Sequence, residues 1–297
     1  MPPYELIAVL SALTGASLWG LVWYPLNVLE KLGVKGLWST FLVFLAISGA
    51  SLPFLIRACR RGRCPFTAWP AFLLVLFGGL TNLLFFLALT KTSVVRALML
   101  FYLSPIWNLL LARLVRRERL SWQKFLVILI SLAGAGVLLG LYRIRTFYWN
   151  LGDTFALLSG LSFALSVIGL QMSPRTPSWA LTVVHWLGTV LIAFIGILIW
   201  SPPPPPWETW AHWVPLLVLF AFGMQATASL CILFSLTRLE SYRVNVLMLF
   251  EIIVGSVSYA LWSLNVIELH EWLGIGAILL ASLLDNLRFR KQIPAPL

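Results

Sequence analysis

Charge is scarce in this chain, and negative charge scarcest. Asp and Glu number 10 against 21 Lys and Arg in 297 residues, and charged residues together reach only 10%. Soluble domains carry about 25% charged and about 45–50% apolar residues. Here 60% are apolar, more than a water-facing fold can hide. Catalytic signatures are missing too. No HExxH, GxSxG or GxxxxGK[ST] occurs, which removes zinc protease, serine hydrolase and ATP-driven pump readings. The expectation is a non-enzyme with no cofactor. Three cysteines, Cys59, Cys64 and Cys231, form no CxxC pair and have no His beside them; they read as thiols without a role, and no metal is expected. The formal charge of +11 is spread between long apolar runs and forms no basic stripe, so nucleic acid is not a partner. The N-terminus has no basic n-region, and its first apolar run exceeds the ~7–15 residues of a signal-peptide core. It reads as a retained membrane span.

What is present is a succession of apolar runs. A helix crosses a bilayer with about 20 mostly apolar residues, and such runs fall near 4–27, 36–56, 67–89, 93–115, 122–142, 152–172, 178–200, 212–236, 242–264 and 269–288. These are spans 1 to 10. The connections are short. The pentaproline Pro202–Pro206 reads as a stiff extended spacer, with Trp207, Trp210 and Trp213 in an interfacial belt beside it. Of the 21 Lys and Arg, 15 lie in the terminal segments and the loops on their side. The positive-inside rule places both termini in the cytoplasm.

The sequence LMLF occupies Leu98–Phe101 in span 4 and returns at Leu247–Phe250 in span 9, 149 positions on. Glu118 and Trp122 likewise return as Glu268 and Trp272. Two units of five helices are implied, residues 1–148 and 149–297. Five is odd, so the second unit enters the membrane inverted. The expected fold class is all-α integral membrane, ten helices as two inverted five-helix repeats. Such repeats hold substrate near the midplane of transporters.

Where the repeat diverges, Tyr102 follows the first LMLF and Glu251 the second. A charge at a helix centre costs about 2.5–3.5 kcal/mol on insertion scales and faces a bundle interior or a wet cavity. Met248, Glu251, Gly255, Ser258, Tyr259 and Trp262 share one side of span 9. Glu251 therefore reads as a contact for a substrate ammonium or as a proton carrier; a neutral carboxyl bonding a neighbouring helix is the structural alternative. Trp19 and Trp23 in span 1, Asn82 and Phe86 in span 3, Ser159 in span 6 and Gln225 in span 8 lie on comparable faces, with helix packing as the alternative. Gly78, Gly79, Pro105 and Gly255 are candidate hinges. Lys91 and Arg96, near the outer ends of spans 3 and 4, read as snorkelling cations, or as a positive rim or a contact to a carboxylate, which makes Lys91 a candidate for charge coupling. His185 in span 7 is a candidate proton relay or a helix–helix hydrogen bond. Asp153 opens span 6, where a carboxylate favours the helix dipole.

The chain resembles the drug/metabolite transporter superfamily in its ten-helix EamA-type form. The resemblance rests on Leu18–Gly20 (LWG), Leu103–Pro105 (LSP), Arg116–Trp122 (RRERLSW), Gly152–Ala164 (GDTFALLSGLSFA), Phe250–Val254 (FEIIV) and Ile267–Trp272 (IELHEW), in order and over nearly the whole chain. It departs from the family pattern at Trp38–Phe41, which lacks an Arg, at Ile252 in place of a proline, and at Phe163 in place of a common Trp. The resemblance implies a bacterial inner-membrane exporter or exchanger of small metabolites, with a central cavity among spans 1, 3, 4, 6, 8 and 9. Phe163 then joins the substrate-binding set. The aromatic residues and single acid point to the amino-acid exporter branch, with neutral or aromatic amino acids as cargo. Export of organic cations or drugs is the alternative reading, and a non-transporting scaffold or sensor subunit a more remote one. The bilayer and a small-molecule substrate are the expected partners; homo-oligomerisation is left open.

Overall fold

The computed structural model describes residues 3–64, 66–92, 97, 100–116, 122–138, 149–263 and 268–289. These residues form helices and connections, and no strand occurs among them. Among the described residues, six helices are long and apolar enough to cross a membrane: Tyr4–Lys31, Gly36–Arg60, Ala68–Phe85, Leu151–Gln171, Ser178–Trp200 and Trp207–Leu236. Shorter apolar helices at Ser104–Val115, Phe125–Val137 and Trp272–Ala281 belong to spans 4, 5 and 10. Span 9 is divided into Ser241–Met248 and Phe250–Ser263.

Breaks in the helices have local causes. Span 1 runs as Pro3–Gly20, turns at Leu21–Val22 and resumes as Trp23–Lys31. Pro25 has no N–H to return to the Leu21 carbonyl four residues back, which instead accepts from the Tyr24 N–H at 3.2 Å. Span 4 turns at Tyr102–Leu103, just before Pro105, which leaves the Phe101 carbonyl without its helical donor. In span 9 the chain tightens at Leu249, where the Leu249 N–H meets the Val246 carbonyl and the Ile252 N–H meets that of Leu249. Span 8 carries a π-helical segment, Phe220–Ala226, between Trp210–Leu219 and Thr227–Leu236. Such segments concentrate at functional sites.

The packing obeys the exchange of span 1 with 6, 2 with 7, 3 with 8, 4 with 9 and 5 with 10. Span 3 lies along span 6, and span 8 along span 1. Span 4 meets span 6 as span 9 meets span 1; span 3 meets span 7 as span 8 meets span 2. Spans 2 and 7, 4 and 9, and 5 and 10 pack against their own counterparts. Even side-chain bonds repeat: Ser11 donates to the Cys231 carbonyl at 3.1 Å between spans 1 and 8, and Ser159 to the Thr81 carbonyl at 2.7 Å between spans 6 and 3. The protein is an all-α membrane protein of ten helices in two inverted five-helix repeats.

One buried apolar cluster runs through the bundle, from Ala8, Leu170, Leu181, Leu236, Val244 and Leu247 on the side of the termini to Val34, Trp213 and Leu217 toward the proline spacer. At the opposite end the proline spacer is strapped down: Trp38 Nε1 donates to the Pro202 carbonyl at 3.1 Å and Trp213 Nε1 to the Pro206 carbonyl at 3.2 Å. Gly33, at φ +90°, passes beneath the Pro206 ring, where a side chain would collide at 2.9 Å.

Candidate functional site

At the crossing of spans 1 and 9, Gly20 lets two backbones touch. A Cβ there would lie 2.5 Å from the Glu251 carbonyl oxygen, 2.9 Å from Val254 Cβ and 3.0 Å from the Gly255 N. The other half repeats the device at spans 6 and 4, where a Cβ on Gly160 would lie 2.7 Å from the Phe101 carbonyl oxygen. That carbonyl is the one Pro105 deprives of its donor. Each close approach therefore sits at a break in span 4 or 9, beside the position where Tyr102 and Glu251 diverge.

The Glu251 side chain is half-buried in this layer. Tyr102 is 2% exposed, and its hydroxyl lies against the Glu251 carboxyl without a hydrogen bond of standard geometry. One turn and two turns along from Glu251 stand Gly255 and Ser258. Trp23 Nε1 donates to the Ser258 hydroxyl at 3.0 Å, and that hydroxyl donates to the Gly255 carbonyl at 3.0 Å. Trp23 is thus fixed on the face of span 9 that carries the acid. Tyr24 and Trp262 meet edge-on, 5.0 Å between ring centroids, nearer the outer end.

An aromatic row leads away from the carboxyl on the other side. Tyr102 meets Phe101 at 5.4 Å, and Phe101 meets Phe85 at 5.1 Å and Phe163 at 5.9 Å, bringing spans 3, 4 and 6 together. The arrangement offers one carboxyl group at the edge of an aromatic surface. A ligand with a cationic head and an apolar body matches both parts.

Several other sequence candidates lie elsewhere in the bundle. Asn82 Nδ2 donates to the Thr189 hydroxyl at 2.9 Å, which in turn donates to the His185 carbonyl at 3.2 Å. His185 packs on Gly78, and Gly79 on Gly188, so these four line the contact of spans 3 and 7. Ser159 is committed to Thr81 as described. Trp19 packs against the main buried apolar cluster. Gln225 is 2% exposed within the π-helical segment, and its Nε2 has no hydrogen-bond partner among the described residues. Lys91 is exposed at the end of span 3, beside Thr92 and Gly152. The side chains of Phe86 and Tyr259, and Arg96 altogether, lie outside the described residues. No group of three or more His, Cys, Asp or Glu able to hold a metal occurs among the described residues.

Sequence reasoning passed over Gly20 and Gly160 as contact points and Phe85 and Phe101 as ring partners. Gly20 stood in the quoted LWG, but nothing in one sequence says which helix it will meet. Asp153 does cap span 6: its carboxylate accepts from the Asn150 N–H at 2.8 Å, the Asn150 side chain accepts from the Asp153 N–H at 3.0 Å, and Thr92 donates to Asp153 at 3.0 Å.

Comparison with known proteins accords with this architecture. The profile of the EamA-like transporter family matches residues 6–140 and again residues 150–286. One solved structure, a crystal structure of a protein without a functional name, superposes with a TM-score of 0.73 over 94% of this chain and 98% of its own, at 18% identity; it speaks for the fold alone. No curated protein matches. The two family matches between them take in most of the chain, and the chain belongs to the EamA-like transporter family, membrane proteins that carry small molecules.

Proposed function

We propose that the chain is a secondary transporter that exports or exchanges neutral and aromatic amino acids across a bacterial inner membrane. The single observation that carries this reading is the Glu251 carboxyl set beside Tyr102 at the head of the row Phe101, Phe85 and Phe163. The α-ammonium of an amino acid pairs with Glu251, and an apolar or aromatic side chain lies on the rings. Trp23 and Ser258 form the wall toward span 1.

Transport follows alternating access between halves that divide at residues 148/149. The breaks at Tyr102–Leu103, Leu249 and Leu21–Val22 are where spans 4, 9 and 1 bend. Both termini lie in the cytoplasm, as the excess of Lys and Arg on their side supports.

Export of organic cations is the second reading, favoured by the same aromatic row through cation–π attraction. Counterflow in proteoliposomes separates the two. Labelled phenylalanine is expected to exchange, neutral amino acids to compete, and tetraphenylphosphonium to compete weakly. Glu251→Gln removes the charge at nearly constant shape and is expected to cut exchange at least tenfold, about 1.4 kcal/mol of lost binding. Wild-type exchange by Glu251→Gln would remove the carboxyl from the mechanism.

A further inference from the structure

Span 2 carries a feature the transport reading does not use. Its helix, Gly36–Arg60, contains Pro53 and ends in a run of arginines, Arg57, Arg60, Arg61 and Arg63. No Asp or Glu occurs anywhere between Glu30 and Glu118. All four arginines are exposed, and none of their side chains has a hydrogen bond or ion pair among the described residues. Above them a groove of about 650 Å³ is lined by Gly49, Leu52, Pro53, Ile56, Arg57, Arg60 and Arg61. That volume falls in the range of small-molecule sites, about 300–1,000 Å³.

The groove has a local origin. Pro53 cannot donate to the Gly49 carbonyl, and Gly49 contributes no side chain. A Cβ on Gly49 would meet nothing within 4 Å, so the space outside it is empty. The floor at Gly49, Leu52, Pro53 and Ile56 is apolar, and the mouth is guanidinium. Guanidinium pairs bidentately with phosphate. A ligand matching both parts is anionic at one end and hydrocarbon at the other.

We propose that this groove is a binding site for one anionic phospholipid, its phosphate held by Arg57, Arg60 and Arg61 and an acyl chain laid over Gly49 and Leu52. The charge complementarity and the apolar floor argue for lipid over a second copy of the chain, which would bring the same uncompensated arginines. Basic clusters beside the end of a span attract anionic lipid; the groove adds a defined place for one molecule.

Native mass spectrometry of delipidated full-length protein, titrated with dioleoyl-phosphatidylglycerol or dioleoyl-phosphatidylcholine, tests the proposal. One phosphatidylglycerol is expected to bind in preference to phosphatidylcholine. Each of Arg57→Gln, Arg60→Gln and Arg61→Gln is expected to weaken it about fivefold. Gly49→Leu puts a side chain into the groove from a position where a Cβ meets nothing within 4 Å, leaves the charge unaltered, and is expected to displace the lipid. Equal binding of the two lipids, or unaltered binding by the triple arginine variant, would overturn the proposal. So would an equal loss from Lys31→Gln with Lys35→Gln, which would reduce the effect to bulk charge. Full competition by soluble glycerol phosphate would point to free phosphate instead. A change of oligomeric mass in Gly49→Leu would make the groove a protein interface.

Discussion

Replacing Gly20 by Ala adds one methyl group at the tightest contact of the candidate site. Ordinary van der Waals contact for a Cβ begins at about 3.4 Å, and this one would stand 2.5 Å from the Glu251 carbonyl oxygen. Its other neighbours are Val254 Cβ and the Gly255 N, neither of which is the far end of a flexible side chain. Spans 1 and 9 must therefore part by roughly 1 Å, and overpacking of this kind costs about 1–3 kcal/mol. For chains of 150–250 residues each kcal/mol is worth about 2–4 °C in Tm, so the expected loss is about 2–12 °C. The same movement strains the Trp23–Ser258 bond, so exchange should fall along with stability. Gly276→Ala is the control: a Cβ there meets nothing within 4 Å, and a change within about 0.5 kcal/mol is expected. Thermal unfolding in detergent and counterflow in liposomes read the two quantities. If Gly20→Ala melts with Gly276→Ala and transports like wild type, the contact of span 1 with Glu251 is not as described.

Gly160→Ala makes the equivalent collision with the Phe101 carbonyl and is expected to cost a similar amount of Tm; a neutral outcome would break the correspondence between the halves. Asn82→Ala removes a hydrogen bond between spans 3 and 7, worth about 0.6 kcal/mol and at most about 1.7 in membranes. It should lower Tm slightly and leave apparent substrate affinity alone; an affinity change without a Tm change would return Asn82 to the substrate. Burial, and then its neighbour Cys59, pushes the Cys64 thiol from 9.0 up to about 11. Because the thiolate is the reactive form, maleimide labelling of Cys64 at pH 7–8 should be slow and rise toward pH 11, and rapid labelling at neutral pH would contradict this.

Much of the architecture was written in the chain. Apolar runs give spans by solvent alone, and the return of LMLF with Glu118 and Trp122 gives the inversion by parity. Glu251 stood out because lipid makes a mid-helix carboxylate expensive. Partners were less legible. A buried Asn, His or Ser needs a hydrogen bond wherever it lands, so periodicity could not say whether Asn82 faces a substrate or Thr189. The breaks are half visible in the sequence: Pro105 reads as a hinge, whereas Pro25, with the same chemistry, sits within an otherwise continuous apolar run. The close approaches at Gly20 and Gly160 depend on which helices meet, a tertiary fact that no local pattern carries.

Alternating access around the Glu251–Tyr102 layer is tested most directly by accessibility at Ser258, the residue that joins spans 1 and 9. With Cys59, Cys64 and Cys231 replaced by Ser, Ser258→Cys would be exposed to a membrane-impermeant maleimide in vesicles of each orientation. Labelling from both sides is predicted, slowed by a transported amino acid. Labelling from one side alone, or at a rate no cargo alters, would contradict the account.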